Sequence, residues 1–222
     1  MKTLEEIKKS GAPVCAFTFD DGPSDTTVRL LDIFKKYDCR ASFFVVSAWG
    51  GEEGVSIMRR AVEQGCTIEN HSKTHRDMRT MERDEILAEY EATQKYVYDA
   101  VGDYPKFFRA PGLCVNDTVY DSVPLTFING QCGSADWNSR EDDPKTSDYA
   151  TRLAGVLSCA SDGHIFLMHD CRGNHLTPDV LEEAIPLLKA KGYEFVNIRE
   201  LFEIKGQPLT PELHKSWTDI IS

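Results

Sequence analysis

The sequence predicts an α/β fold in which about seven parallel strands form a distorted, closed or nearly closed (β/α) barrel. Short apolar segments alternate with longer amphipathic segments over most of the chain. Strands that alternate with helices in this way pair in parallel through right-handed crossovers. The 222 residues contain neither an internal repeat nor a low-complexity segment, so one large domain suffices. We expect that domain to span residues 1–205, and the sequence assigns no role to the tail at residues 206–222.

The predicted strands are short apolar runs that end at polar or turn residues. The first is the clearest, because a six-residue run rich in β-forming residues stops at Asp20, and Gly22-Pro23 supplies a turn. The later runs are similar in character and read as buried strands of a parallel sheet. In chain order, the strands are expected at residues 14–19, 41–46, 66–69, 106–108, 125–128, 165–168 and 194–196.

The predicted helices are the amphipathic segments between these strands. The first carries Lys35 and Lys36 near its C-terminus, where positive charge suits the helix dipole. The second ends at Gly65, a residue type that favours helix C-termini. In chain order, the helices are expected at residues 26–37, 54–64, 83–101, 117–122, 146–159, 178–191 and 198–202.

Composition narrows the class of protein without deciding its function. Hydrophobic residues make up 41% and charged residues 27%, which is ordinary for a globular protein and fits an enzyme or a binding protein equally. The net charge of -11 argues against nucleic acid as a partner, because a phosphate backbone requires concentrated Lys and Arg. The negative net charge is more compatible with a neutral or cationic substrate.

The sequence also carries expectations about location and redox state. The segment 1–9 is charged throughout and lacks the apolar core of a signal peptide, and no segment approaches a membrane span. We therefore expect a cytoplasmic protein without a membrane partner, although a chain that had lost a leader would be extracellular. The seven cysteines are scattered and form no Cys-x-x-Cys pair, which predicts reduced, mostly buried thiols.

Polar clusters follow the predicted strands at the points where the strands end. Asp20-Asp21 could belong to an ordinary turn that caps the following helix. His71 and His75 could be solvent-facing residues of a polar loop without a function. Parallel strands, however, send their carboxyl ends to one face, so separate clusters would converge there. The clusters are Asp20-Asp21, His71 with His75, Arg109, Asp136-Trp137, and His169.

The motifs in this order resemble those of the polysaccharide deacetylases, the NodB-homology domains of carbohydrate esterase family 4. The resemblance covers residues 13–202 and implies a NodB-type barrel with one catalytic domain. It rests on the sequences TFDDGP, HSKTH and LMHD and on an Asp-Trp pair. These motifs lie at residues 18–23, 71–75, 167–170 and 136–137.

The resemblance implies that Asp21, His71 and His75 hold one divalent metal ion. Two imidazoles and one carboxylate leave coordination positions open for water and substrate. Zinc is the expected metal, and cobalt, nickel or manganese would fit the same ligands. Non-haem iron oxygenases use a similar ligand set, but that alternative would not explain a second acid, Asp20, beside the ligand.

The resemblance also assigns the residues of catalysis. Asp20 would be the general base that takes a proton from the water that the metal activates, and Arg109 would keep this carboxylate ionised and oriented. His169 would be the general acid that protonates the leaving group. Asp136 would fix the tautomer of His169 and favour its protonated form.

The substrate-binding residues are the least specific part of the resemblance. Trp137 and Leu167 would line a small pocket for the acetyl methyl group, although core packing alone would also explain Leu167. The backbone N–H of Gly112 would assist the oxyanion, at a position where the family usually carries an aromatic residue. That replacement removes an aromatic wall of the groove. Glu69, where the family commonly has glycine, is expected as a second change at the same rim.

We therefore expect a metal-dependent hydrolase that removes acetyl groups from an N-acetylated sugar or oligosaccharide. An O-acetyl esterase or a small-molecule amidase could use the same site, because a fold does not set a substrate. A carbohydrate-binding protein without catalysis is the alternative from another class. It is disfavoured because the complete set is present, namely Asp20, Asp21, His71, His75, Arg109, Asp136 and His169.

Overall fold

The structure, a computed structural model, describes residues 2–131, 136–137, 148–212 and 214–220. Within these residues it contains eight strands in one sheet. They are β1 (Val14–Gly22), β2 (Ala41–Val45), β3 (Thr67–Asn70), β4 (Phe107–Phe108), β5 (Thr126–Ile128), β6 (Ile165–His169), β7 (Glu194–Phe195) and β8 (Ser216–Trp217). The strand order is β6-β1-β2-β3-β4-β5-β8, with β7 paired to β1, and every named pair is parallel. The predicted parallel (β/α) barrel is confirmed.

Seven of the helices described here lie between strands and overlap the predicted segments, and the first precedes β1. They are α1 (Leu4–Ser10), α2 (Asp25–Tyr37), α3 (Ser47–Glu63), α4 (Arg83–Val101), α5 (Asp117–Ser122), α6 (Tyr149–Cys159), α7 (Leu176–Ala190) and α8 (Ile198–Ile204). The predicted start of α6 at residue 146 lies outside the described residues. No helix within the described ranges is both long and apolar enough to cross a bilayer.

Two helices differ from the sequence prediction for local reasons. The prediction missed α1, a seven-residue helix whose ends are set by a capping box between Thr3 and Glu6 and by Gly11 in the left-handed region. Helix α3 begins before the predicted residue 54. The glycines near its start hid the first turn, and Gly51 has a non-helical backbone at φ 55°.

Strand β1 lies at the centre of the sheet between β6 and β2, and its alternation sets the direction of the site. Cys15, Phe17 and Phe19 face the helices and join the larger hydrophobic cluster, which includes side chains of α2 and α7. Val14 and Ala16 belong instead to the cluster inside the barrel. Because side chains alternate along a strand, Thr18 and Asp20 continue this inner face.

The barrel closes where the chain after β5 meets β6. The N–H of Gln131 donates to the carbonyl of Ile165 at 2.9 Å. Gly130 precedes it with φ 73°, and a Cβ there would lie 2.9 Å from the same carbonyl and 3.3 Å from Nη2 of Arg109. Only glycine combines that backbone conformation with so close an approach. Closure therefore brings β5 and β6 together without displacing Arg109.

The C-terminal tail contributes to the sheet, a role that the sequence did not reveal. Strand β8 pairs with β5, and the carbonyl of Trp217 accepts from the N–H of Asn129 at 2.7 Å. The Trp217 ring contacts Phe202 with centroids 5.4 Å apart, and Ile220 donates to Gly163 at 2.9 Å. A two-residue strand is too short to show period-two alternation, so pattern could not identify it.

We expect Trp217→Ala to lower the free energy of unfolding by about 2 kcal/mol, less than for a fully buried aromatic because Trp217 is half-buried. The measurement is denaturant unfolding. The matched control is Leu187→Ala on α7, where the side chain is 45% exposed and alanine favours the helix. An equal loss in both variants would contradict a structural role for the tail.

Candidate active site

Two adjacent carboxylates reach one cleft because β1 ends irregularly. The pairing register between β1 and β2 shifts between Asp20 and Gly22, and Asp21 has φ 73°. Neighbouring side chains of a regular strand point to opposite faces, whereas such an irregularity re-aims one of them. Aspartate tolerates the left-handed region better than most residues. Asp20 is therefore buried inside the barrel while Asp21 also lines the cleft.

Gly22 is required at this turn by close packing. A Cβ on Gly22 would lie 2.2 Å from Oδ2 of Asp170, a side chain that is fully buried and accepts a hydrogen bond from Thr27. Burial raises the pKa of Asp170 to about 8 against the effect of the Thr27 hydrogen bond, and the charges of Asp21 and Asp20 raise it further. The turn thus sits against a carboxyl group that is mainly neutral at pH 7.

The three predicted metal ligands come together. One ligand atom each from Asp21, His71 and His75 lies within 4.8 Å of the others. Nε2 of His75 is 3.3 Å and Nε2 of His71 is 3.6 Å from Oδ1 of Asp21. Nδ1 of His71 lies 2.7 Å from the carbonyl of Arg109, which can only accept, so Nδ1 carries the proton. The lone pair of Nε2 is then directed to the metal position.

These ligands fit a divalent cation. Oδ1 of Asp21 is buried and accepts no hydrogen bond from any described residue. An unpaired buried oxygen of this kind is costly unless a cation compensates it. Burial, although opposed by Asp20 and Asp21, lowers the pKa of His71, so this imidazole is neutral at pH 7 and in the form that binds metals.

The segment between the two histidines is held in an uncommon backbone conformation. Ser72 and His75 have φ of 65° and 58°. Oδ1 of Asn70 accepts from the N–H of Ser72 at 2.9 Å, and Oγ of Ser72 accepts from the N–H of His75 at 3.2 Å. Two left-handed residues are maintained by these bonds, because each conformation costs free energy on its own. They turn both imidazoles toward Asp21.

A buried carboxylate on α4 supports the same segment. Oε2 of Glu89 accepts from the N–H groups of Lys73 and Thr74 at 3.0 and 2.7 Å, and Oε1 accepts from Oγ1 of Thr74 at 2.8 Å. Glu89 is 6% exposed. Charge-assisted hydrogen bonds are stronger than neutral ones, so α4 anchors the histidine segment firmly.

The proposed base is paired with a fully buried arginine. Nη1 of Arg109 donates to Oδ1 of Asp20 at 2.6 Å, and Nη2 donates to Oγ1 of Thr18 at 2.8 Å. Burial by itself would raise the pKa of Asp20, but Arg109, His71 and His169 outweigh it and lower that pKa. Asp20 is thus an oriented, ionised carboxylate at neutral pH.

The proposed acid lies on the neighbouring strand with its own carboxylate partner. His169 pairs in register with Asp20 across β1 and β6. Nδ1 of His169 lies 2.9 Å from Oδ1 of Asp136, and its backbone N–H donates to Oδ2 at 2.8 Å. Burial lowers the pKa of His169, but the bond and charge of Asp136, with Asp20 and Asp21, outweigh burial and raise it to about 9.

A cleft of about 460 Å³ joins these groups. Gly112, Trp137 and Leu167 line it, and Trp137 is 60% exposed. The N–H of Gly112 donates to no described residue, while Leu113 beside it is 37% exposed. The wall at this position is therefore aliphatic and open. The full lining is Asp20, Asp21, His71, His75, Gly112, Leu113, Trp137, Leu167 and His169.

The prediction that Glu69 lies at the rim of the groove is wrong. The side chain is fully buried. Its Oε2 accepts from the N–H groups of Lys106 and Phe107 at 2.8 and 3.0 Å, and its Oε1 accepts from Nε of Arg199 at 2.8 Å. Glu69 binds the start of β4 to α8 and does not contact the cleft, so it does not alter the groove.

Sequence reasoning missed several residues that support the site. Glu89 and Arg152 are charged side chains at core-facing positions of helices, and that mismatch was the available signal. Glu89 shares the buried side of α4 with Ile86 and Thr93, and Arg152 shares that of α6 with Val156. Thr177, which binds Asp136 at 3.0 Å, carries no pattern that distinguishes it from an ordinary helix residue.

The fold and the site define a class before any comparison. A parallel barrel gathers a carboxylate and two imidazoles, a second carboxylate paired with an arginine, and a third imidazole paired with its own carboxylate at its strand ends. The family model for polysaccharide deacetylases matches residues 7–126, which is more than half of the chain. The chain therefore belongs to the polysaccharide deacetylase family.

Two relatives of the chain carry the word deacetylase in their names. It is 39% identical to a bifunctional xylanase/deacetylase of Pseudobutyrivibrio xylanivorans, over 92% of this chain and 33% of that protein. It is 34% identical to the peptidoglycan-N-acetylglucosamine deacetylase PgdA of Listeria monocytogenes, over 86% of this chain and 39% of that protein. The chain thus spans between a third and two fifths of these two relatives.

A solved structure matches almost the whole length of this chain. It is a family 4 acetyl xylan esterase from Clostridium thermocellum in complex with a cobalt ion. The TM-score is 0.86 at 36% identity, and the match covers 94% of this chain and all of that chain.

We expect Glu89→Ala to weaken binding of a divalent cation by about 10- to 100-fold, because the segment that presents His75 loses its anchor. Isothermal titration of the metal-free protein with Zn²⁺ or Co²⁺ measures the affinity directly. Glu91→Ala, an exposed glutamate on the same helix, is the control and should leave the affinity unchanged. Equal affinity in the Glu89 variant and the wild type would contradict the anchoring role.

Proposed function

We propose that this chain is a metal-dependent deacetylase that hydrolyses acetyl groups on an acetylated carbohydrate. One observation carries the proposal. Asp20, held ionised by Arg109, and His169, held protonated by Asp136, occupy register-paired positions of adjacent strands beside the ligands of a cation. Hydrolysis of an acyl group needs both a base and an acid at one centre, and opposite protonation states at neutral pH meet that need.

The cation would be held by Asp21, His71 and His75, with zinc as the expected metal. A bound divalent cation would polarise the acetyl carbonyl and acidify a water molecule. The cobalt ion in complex with the Clostridium thermocellum relative supports a divalent metal, and cobalt, nickel and manganese suit the same ligands.

The protein residues would then move two protons. Asp20 accepts a proton as water attacks the acetyl carbon, and Arg109 keeps the carboxylate anionic and aligned beforehand through its bond to Oδ1. His169 gives its Nε2 proton to the departing oxygen or nitrogen as the bond to the acetyl carbon breaks, which releases acetate. The N–H of Gly112 would face the developing oxyanion, while Trp137 and Leu167 would border the methyl group.

Among possible substrates, we place acetylated xylan first. The relatives at 39% and 36% identity carry xylan in their names, whereas the peptidoglycan deacetylase is 34% identical. The aliphatic wall at Gly112-Leu113 leaves the cleft open on one side and suits a polymer that enters from solvent. The N-acetylated oligosaccharide expected from the sequence is the second candidate, because the same base and acid serve a departing nitrogen.

We expect the purified protein to carry about one divalent ion per chain and to release acetate from acetylated xylan, with less release from chitin oligomers. Asp20→Asn should lower kcat by about 10²- to 10⁴-fold, because the base is lost while the shape is kept. Acetate is measured enzymatically, with chelated enzyme as a control for the metal. Undiminished activity in Asp20→Asn, or activity that survives removal of all metal, would reject the mechanism.

The pH dependence should report the acid. His169 must be protonated, so kcat/KM should fall as pH rises through its pKa of about 9. Asp136→Asn removes the charge and weakens the bond that raise this pKa, so the alkaline limb should move to lower pH. Asp99→Asn, an exposed carboxylate on α4, is the control and should leave the profile unchanged. If the alkaline limb does not move in Asp136→Asn, Asp136 does not control the pKa of the general acid.

A further inference from the structure

A buried polar network lies behind Asp136, on the side away from the cleft. It consists of Arg152 from α6 and of Asn174 and Thr177 from the connection after β6 and the first turn of α7. Arg152 is 1% exposed, Asn174 is fully buried, and Thr177 is 3% exposed. None of the three lines the cleft, so none is available to contact substrate.

The hydrogen bonds of Asp136 connect the network to the acid. Oδ1 of Asp136 meets Nδ1 of His169 at 2.9 Å. Oδ2 accepts from the backbone N–H of His169 at 2.8 Å and from Oγ1 of Thr177 at 3.0 Å. Among the described residues, every partner of this carboxylate is a donor. The Thr177 hydroxyl is the one of these contacts that does not come from His169.

The direction of each hydrogen bond follows from what the groups can donate. Nη1 of Arg152 donates to Oδ1 of Asn174 at 3.0 Å and approaches Oγ1 of Thr177 at 3.4 Å. The arginine has no acceptor, so the Thr177 oxygen accepts there. The single hydroxyl proton of Thr177 has two acceptors within reach, Oδ2 of Asp136 at 3.0 Å and Oδ1 of Asn174 at 3.1 Å, and the carboxylate is the stronger of the two. Nδ2 of Asn174 donates to the carbonyl of His169 at 2.8 Å. The amide is thereby oriented at both ends.

We propose that Thr177, Asn174 and Arg152 are positioning residues that hold Asp136, and through it His169, in the geometry for proton donation to the leaving group. This inference rests on the proposed function. The Thr177 hydroxyl fixes the rotamer of Asp136, and the buried guanidinium of Arg152 in turn holds Thr177 and Asn174. Asn174 ties the backbone of His169 to the same frame.

Substrates with different leaving groups distinguish a positioning role from a merely structural one. An alkoxide leaving from acetylated xylan needs the proton of His169, whereas the phenolate of 4-nitrophenyl acetate leaves without one. We expect Thr177→Val, which keeps the side-chain shape, to lower kcat on acetylated xylan about tenfold, a part of the 10²- to 10⁴-fold that a general acid contributes. The rate on 4-nitrophenyl acetate should change less than twofold, and KM on both substrates should stay constant.

Three further variants complete this experiment. Thr177→Ser restores the hydroxyl and should restore activity on xylan. Thr118→Val on α5 makes the same chemical change at an exposed position and should have no effect. If Thr177→Val does not fold, Arg152→Lys keeps the charge, loses the planar fork and should show the same selective loss. Equal losses on both substrates, or no loss on xylan, would overturn the inference.

A second measurement separates this inference from the proposed function. The Nδ1 proton of His169 in its bond to Asp136 should give a downfield proton resonance in the wild-type protein, and Thr177→Val should shift or broaden it. An unchanged resonance would overturn the positioning role even if the enzyme were inactive. Conversely, a shifted resonance in a protein that releases no acetate from any substrate would reject the proposed function and keep the network.

Discussion

Arg109 lies wholly inside the barrel with its guanidinium against the carboxylate of Asp20, and the rest of the site depends on this contact. The same side chain binds Thr18 and the carbonyl of Ile128 and stacks on a phenylalanine ring, while its backbone carbonyl holds His71. One residue thus joins the proposed base, a proposed metal ligand and three strands. Loss of either partner of a buried ion pair costs about 3–5 kcal/mol, since an unpaired charge remains.

The site separates the protonation states of groups that lie close together. Three carboxyl groups meet near the end of β1, and each has a different environment. Asp20 faces the buried guanidinium of Arg109 and stays ionised. Asp21 faces two imidazoles, whereas Asp170 faces the hydroxyl of Thr27 and is mainly neutral at pH 7. His169 remains protonated because Asp136 outweighs its burial. Electrostatic interactions are stronger in the buried interior than in water. The identity of its neighbours therefore decides whether each buried group is charged.

Sequence motifs singled out residues that the fold brings together, but they did not reveal the residues that support them. The seven residues expected to bind metal, move protons or orient those groups all converge, because parallel strands end at one face. The same logic failed for Glu69, which is polar and near a strand end but serves β4 and Arg199. Glu89 and Arg152 stood out only as charges on buried helix faces. A polar residue in sequence does not reveal which neighbour will satisfy it.

The sequence by itself determined the alternation of strands and helices, the family, and the identity of the chemical groups, since these depend on local patterns and short motifs. Only the tertiary structure decided that Asp20 points inward beside Arg109, that the tail adds β8 to the sheet, and that Thr177 and Arg152 stand behind Asp136. The physical reason is distance along the chain. A motif spans a few residues, whereas these partners are brought together only when the crossovers pack and the barrel closes.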